Sequence, residues 1–164
     1  MATQTKRLVA IAGVIIAAVA AAVIAISALG GEDKTATKAE YQATIVSARD
    51  RVDFAFAQIA KADSVENLIE RLDTASAAVG AVADDVGDAA VAPEFEQLTD
   101  DLAAKLDQFS DSLAATADQF ADPSSAGFGL ENINSLGFGE WDEVNEILTS
   151  MQEKGLEVEL LERH

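Results

Sequence analysis

The sequence predicts an all-α protein: an N-terminal transmembrane helix followed by an elongated antiparallel bundle of three helices, or four if the C-terminal segment folds back. Three observations predict it. Residues 8–29 form an uncharged apolar run. Three later stretches repeat apolar residues at alternating spacings of three and four, each opened by a cap signature or a proline. Hydrophobic residues make up 49% of the chain but aromatics only 5%, and a core of Ala and Val suits helices packed closely along their lengths.

The apolar run takes its meaning from length. Between Leu8 and Leu29 only Gly13 and Ser27 interrupt Ala, Val, Ile and Leu. About 22 residues at about 1.5 Å each reach roughly 33 Å, enough for a hydrocarbon core of about 30 Å. Eleven of them are Val, Ile or Leu, and together they favour insertion by roughly 3 to 6 kcal/mol. A cleaved signal peptide carries a shorter apolar region of about 7–15 residues, although Ala25-Ile26-Ser27 and Ala28-Leu29-Gly30 would serve as cleavage sites for a secreted form. The expectation is a retained single-pass signal anchor after a short basic tail, residues 1–7. Lys6 and Arg7 precede the span and Lys34 and Lys38 follow it; the basic tail favours a cytoplasmic N-terminus and an extracytoplasmic C-terminal domain. Gly13, Ala17, Ala21 and Ala25 form a small-residue ladder that would let two such helices pair as a homodimer.

Charge sets the next limit. Lys6 and Arg7 are the only charged side chains before Glu32, leaving nine basic against 29 acidic residues after Gly31, a net of −20. Such a domain repels nucleic acid and anionic lipid headgroups. The absence of cysteine excludes disulfides, thiolate metal sites and lipobox acylation.

Residues 30–36, with Gly30-Gly31, read as a hinge, and 37–122 as the acidic bundle. Thr37 and Glu40 form a capping box before the stripe Tyr41, Ile45, Ala48, Val52, Ala55, Ile59 and Ala62. Phe56 widens that stripe, while Val46 and Phe54 lie off it. Asp63 with Glu66, or Ser64, opens the second stripe: Val65, Leu68, Leu72, Ala75, Val79, Val82 and Val86. Pro93 starts the third helix, where its missing N–H costs nothing. Phe95, Leu98, Leu102, Leu106, Phe109, Leu113 and Phe120 then give the strongest apolar face, and Pro123 stops it.

Residues 123–139 change character, with Gly127-Phe128-Gly129 echoed by Gly137-Phe138-Gly139. They read as a Gly/Ser/Phe linker. Residues 140–164 read as an amphipathic helix and tail: Trp141, Val144, Ile147, Leu148 and Met151 share a face, and Lys154-Gly155 is a stop signal. Leu156, Val158 and Leu160 alternate with glutamates. That tail is either helical or an extended segment that pairs with something else.

The anchor, the capped helix with Tyr41, and the Pro93-Glu94-Phe95 helix start resemble a loose set of uncharacterised actinobacterial single-pass membrane proteins with an extracytoplasmic helical bundle. The resemblance spans about residues 1–122. It implies compartment and fold, and carries no functional residues.

Chemistry is sparse. The only histidine is His164, and no cysteine stands beside a base, so no nucleophile–base–orienter set forms. The expectation is a protein with no catalytic residues and no cofactor. Asp84, Asp85 and Asp88 are the candidates for a divalent cation held through oxygen; the competing reading is a solvated acidic face. Phe128, Phe138 and Trp141 are the candidates for docking a partner, because Trp recurs at binding hot spots; the competing reading packs the linker phenylalanines down and buries Trp141 against the bundle as the fourth helix folds back. The function expected is membrane-anchored, non-enzymatic protein–protein interaction or envelope structure, with another envelope protein as partner. The alternative is a sensor-type bundle that binds a small ligand or cation.

Overall fold

A computed structural model describes residues 35–122 and 138–162. The basic tail, the 8–29 anchor, most of the hinge, most of the 123–139 linker with Phe128, and His164 lie outside the described residues. Among the described residues no helix is long and apolar enough to cross a membrane.

Four helices pack together: α1 (Lys38–Ile59), α2 (Val65–Gly87), α3 (Glu96–Ala121) and α4 (Gly139–Glu153), with a 3-10 turn Pro93–Phe95 leading into α3. The capping box forms as read, Glu40 N–H donating to Thr37 Oγ1 and Thr37 N–H donating to Glu40. At α2 the cap is Ser64, whose hydroxyl accepts from Asn67 N–H. Pro93 opens the 3-10 turn and not the α-helix itself, which begins three residues later.

Contacts between helices fix their directions. Arg51 meets Asp85, and Arg71 donates to Gln58 O at 2.8 Å, so α1 and α2 are antiparallel. Ser76 and Ser110 exchange hydrogen bonds between α2 and α3, each hydroxyl donating to the other's carbonyl at 2.9 Å. Near the other end of that pair Gly87 faces Ala103, which makes α2 and α3 antiparallel as well. The fourth helix runs back along α3, with Ser112 on Glu140, Lys105 on Glu143 and Lys154 on Glu94 O. A parallel bridge between Thr35 and Val91 pins the chain just before α1.

The core follows the expected stripes closely. Tyr41, Ile45, Ala48, Val52, Ala55, Phe56 and Ile59 of α1 are buried, as are Leu68, Leu72, Ala75, Val79, Val82, Ala83 and Val86 of α2. On α3 the buried line is Phe95, Thr99, Leu102, Leu106, Phe109, Leu113 and Ala117. Leu98 and Phe120 are only partly buried. Thr99 is buried because its hydroxyl donates to Phe95 O and shares a 2.7 Å hydrogen bond with Tyr41. The C-terminal helix joins this same core: Trp141, Val144, Leu148 and Met151 are buried in it, so the bundle has four members.

Candidate functional site

The feature that stands apart from ordinary helix packing begins at Gly155. Leu156 N–H donates to Met151 O at 3.0 Å and Gly155 N–H to Gln152 O at 2.7 Å, the bond pair of a Schellman cap. Gly155 sits at φ +83°, a left-handed conformation that glycine takes without steric cost. Lys38 Nζ donates to the neighbouring Lys154 carbonyl at 3.1 Å. The cap reverses the chain, and residues 156–162 return along the bundle in extended form, between α1 and α4.

Side chains hold this tail by its main chain. On the α1 side, Glu157 N–H donates to Gln42 at 3.0 Å, and Glu162 N–H to Asp53 at 3.0 Å. Arg49 donates twice to Leu160 O, at 3.1 and 2.7 Å. On the α4 side, Gln152 donates to Val158 O at 2.5 Å, and Asn145 Oδ1 accepts from Leu161 N–H at 2.8 Å. Leu156, Val158 and Leu161 point into the bundle at 2%, 5% and 5% exposure. The geometry is commensurate. Five residues of tail at about 3.3 Å and eleven of helix at about 1.5 Å both cover roughly 17 Å, so Gln42 and Asp53 meet Glu157 and Glu162 in step.

Arg49 is the electrostatic centre of the groove. Its side chain is 12% exposed and lies 3.1 Å from Asp53, itself 13% exposed, and 3.6 Å from the freely exposed Glu159. A guanidinium this enclosed is tolerated because its donors are matched by a carboxylate and a carbonyl. Beside it lies a shallow depression of about 450 Å³, lined by Val46, Arg49, Asp50, Glu157, Val158 and Glu159. It has an apolar floor and three carboxylates against one cation.

The docking candidates fall elsewhere. Trp141 is 6% exposed, edge-on to Phe56 at 4.7 Å and to Phe109 at 6.1 Å. Phe138 is partly buried against the same two rings. Both are therefore packing residues, not surface knobs: the Ala-rich helices leave a gap at this level, and the rings fill it. Phe128 lies outside the described residues. The large hydrophobic side chains found exposed are instead Phe54, at 61%, and Leu160, at 39%.

Asp84, Asp85 and Asp88 are all exposed, and Asp85 pairs with Arg51. Among the described residues no three acidic or histidine side chains gather as a metal would require. Two displaced pKa values belong to the fold. Thr37 hydrogen bonds hold the Glu40 carboxyl below its usual range. Burial pushes the Tyr41 phenol up, against a smaller opposing effect from Thr99.

Sequence reasoning missed Gln42, Arg49, Asp53, Asn145 and Gln152. Their signal is faint but present: Gln42, Arg49 and Asp53 follow a seven-and-four spacing, one ridge of a helix. Compared with protein-family models, curated proteins and solved structures, the chain matches none of them.

Proposed function

We propose that this chain is a membrane-anchored, non-enzymatic interaction protein, held by residues 8–29, whose elongated extracytoplasmic bundle receives a partner on the α1–α4 side. One observation carries the reading: an extended segment lies in a groove gripped through its main chain by five side chains. Main-chain hydrogen bonds with pockets for selected side chains are the way proteins recognise extended peptides. The exposed Phe54 and Leu160 add apolar surface on α1 and on the tail itself. The uncharged run of residues 8–29 supports the anchor.

Cross-linking of the full chain in its native membrane, after an alkaline carbonate wash, tests this. The chain is expected to stay with the membrane and to cross-link to another protein through α1 and residues 156–162. Extraction by carbonate, or cross-links confined to its own residues, would overturn the reading.

A further inference from the structure

The tail fits its groove in shape but not in charge. Glu157 and Glu159 line one depression with Asp50, while the exposed Glu162 touches Asp53 through its backbone amide. Among the described residues Arg49 is the only cation lining that depression, and it is already engaged by Asp50, Asp53 and Leu160 O. Of the three tail glutamates, Glu159 alone forms an ion pair among the described residues, and that one is long. The residues after Gly31, the tail included, carry a net charge of −20. Like charges lining one depression oppose each other, and exposed groups do so most at low ionic strength. Detaching the tail breaks no helix, because among the described residues its main-chain bonds beyond the cap go to side chains.

We infer that the α1–α4 groove is a peptide-binding groove which the chain occupies with its own charge-mismatched tail, and that its partner supplies an extended basic segment. That segment has apolar residues at the positions of Leu156, Val158 and Leu161, and Lys or Arg where Glu157 and Glu162 stand. The position of Glu159 stays acidic, since Arg49 faces it at 3.6 Å. The inference rests on the interaction reading above and names the chemistry of its partner. The tail then acts as a gate: a better-matched segment displaces it, and the grip of Gln42, Arg49, Asp53, Asn145 and Gln152 passes to the newcomer.

Synthetic peptides test it on the full chain. One probe carries residues 155–162 as they stand, and a second carries Glu157→Lys with Glu162→Lys. The second should bind about tenfold more tightly at low salt, an advantage that shrinks as salt rises. The chain has no cysteine, so Gln42→Cys with Glu157→Cys allows the tail to be tied down by a short thiol crosslinker that reductant cleaves. Gln42 is missing in both states of this variant, so the comparison is internal: the reduced protein should bind the basic peptide, more weakly than the unaltered chain, and the tied protein should not bind it. A photo-reactive group on the basic peptide should mark residues 42–53 of α1, a result that does not depend on the cysteine variant. Equal affinity of the two peptides, binding undiminished in the tied protein, or marking away from α1 would overturn the inference. If those failures occur while membrane cross-linking still finds a partner, the interaction reading stands and this partner does not.

Discussion

The α2–α3 seam and the α1–α4 seam join helices of one bundle, yet they are closed by opposite means. Between α2 and α3 the backbones come close. A Cβ added at Gly80 would sit 3.0 Å from Ser110 Oγ, and one at Gly87 would meet Ala103 at 3.8 Å. Buried leucines and valines of both helices flank those small residues. Between α1 and α4 the upper level is filled by aromatic rings and the rest by the extended tail, with polar side chains as clasps. The first seam depends on the whole bundle and opens only with it. The second contains a segment held through its main chain by side chains of α1 and α4. A groove able to hold an extended segment can thus lie inside the closed packing of a small helical protein.

Substitutions break or sharpen the contrast in order of size. Phe109→Ala touches both seams, since the ring is fully buried on α3 and packs on Phe56, Phe138 and Trp141. It should cost about 3–5 kcal/mol in urea denaturation. A loss below about 1 kcal/mol would mean that the aromatic level does not hold the fourth helix to the rest. Gly155→Ala acts on the second seam alone. A side chain at φ +83° is strained, and its Cβ would lie 2.9 Å from Lys38 Nζ. The variant should lose about 1–2 kcal/mol and open the tail to carboxypeptidase, while α2 and α3 keep their protection.

Tyr41→Phe is smaller, about 0.5–1.5 kcal/mol, because Thr99 keeps its bond to Phe95 O. It also has a pH signature. The folded phenol titrates above its ordinary value near 10, so its contribution is complete below that value and is lost as pH rises through the raised one. Wild-type stability should therefore fall in alkali, and Tyr41→Phe should flatten the fall. The smallest effect lies at the opposite end of the pH scale. Glu40 is held below its ordinary 4.5, so its capping contribution is complete above that value and is lost as pH falls through the lowered one. Melting curves of Glu40→Gln should lack this acid dependence.

Much of the bundle was legible because helical periodicity is a local signal. The stripes from Tyr41, Leu68 and Leu102 needed only spacing, caps and Pro93 to be placed. Thr99 was not, since its burial depends on a phenol 58 positions away. Trp141 stayed open between docking and burial because counting aromatics says how many there are, not which gap they fill; it is buried as the fourth helix returns to the bundle. The alternation of Leu156, Val158 and Leu160 left the tail open between helical and extended; no helix forms over 156–162, and the third buried residue is Leu161, not Leu160. With no partner strand to enforce a period of two, the backbone slips, so Leu161 turns in and Leu160 out. The clasp residues stayed unreadable because each acquires its role only once the tail's path is known.

Hydrogen exchange on the full chain tests the contrast most directly. The amides of Glu157, Leu161 and Glu162 are bonded to side chains of α1 and α4, and those of mid-α2 and mid-α3 to their own helices. The tail amides should exchange through a local opening, orders of magnitude faster than those around Val79 and Leu106, which should wait for global unfolding. Tail amides as slow as the α2–α3 core, with the same response to denaturant, would contradict an exchangeable seam.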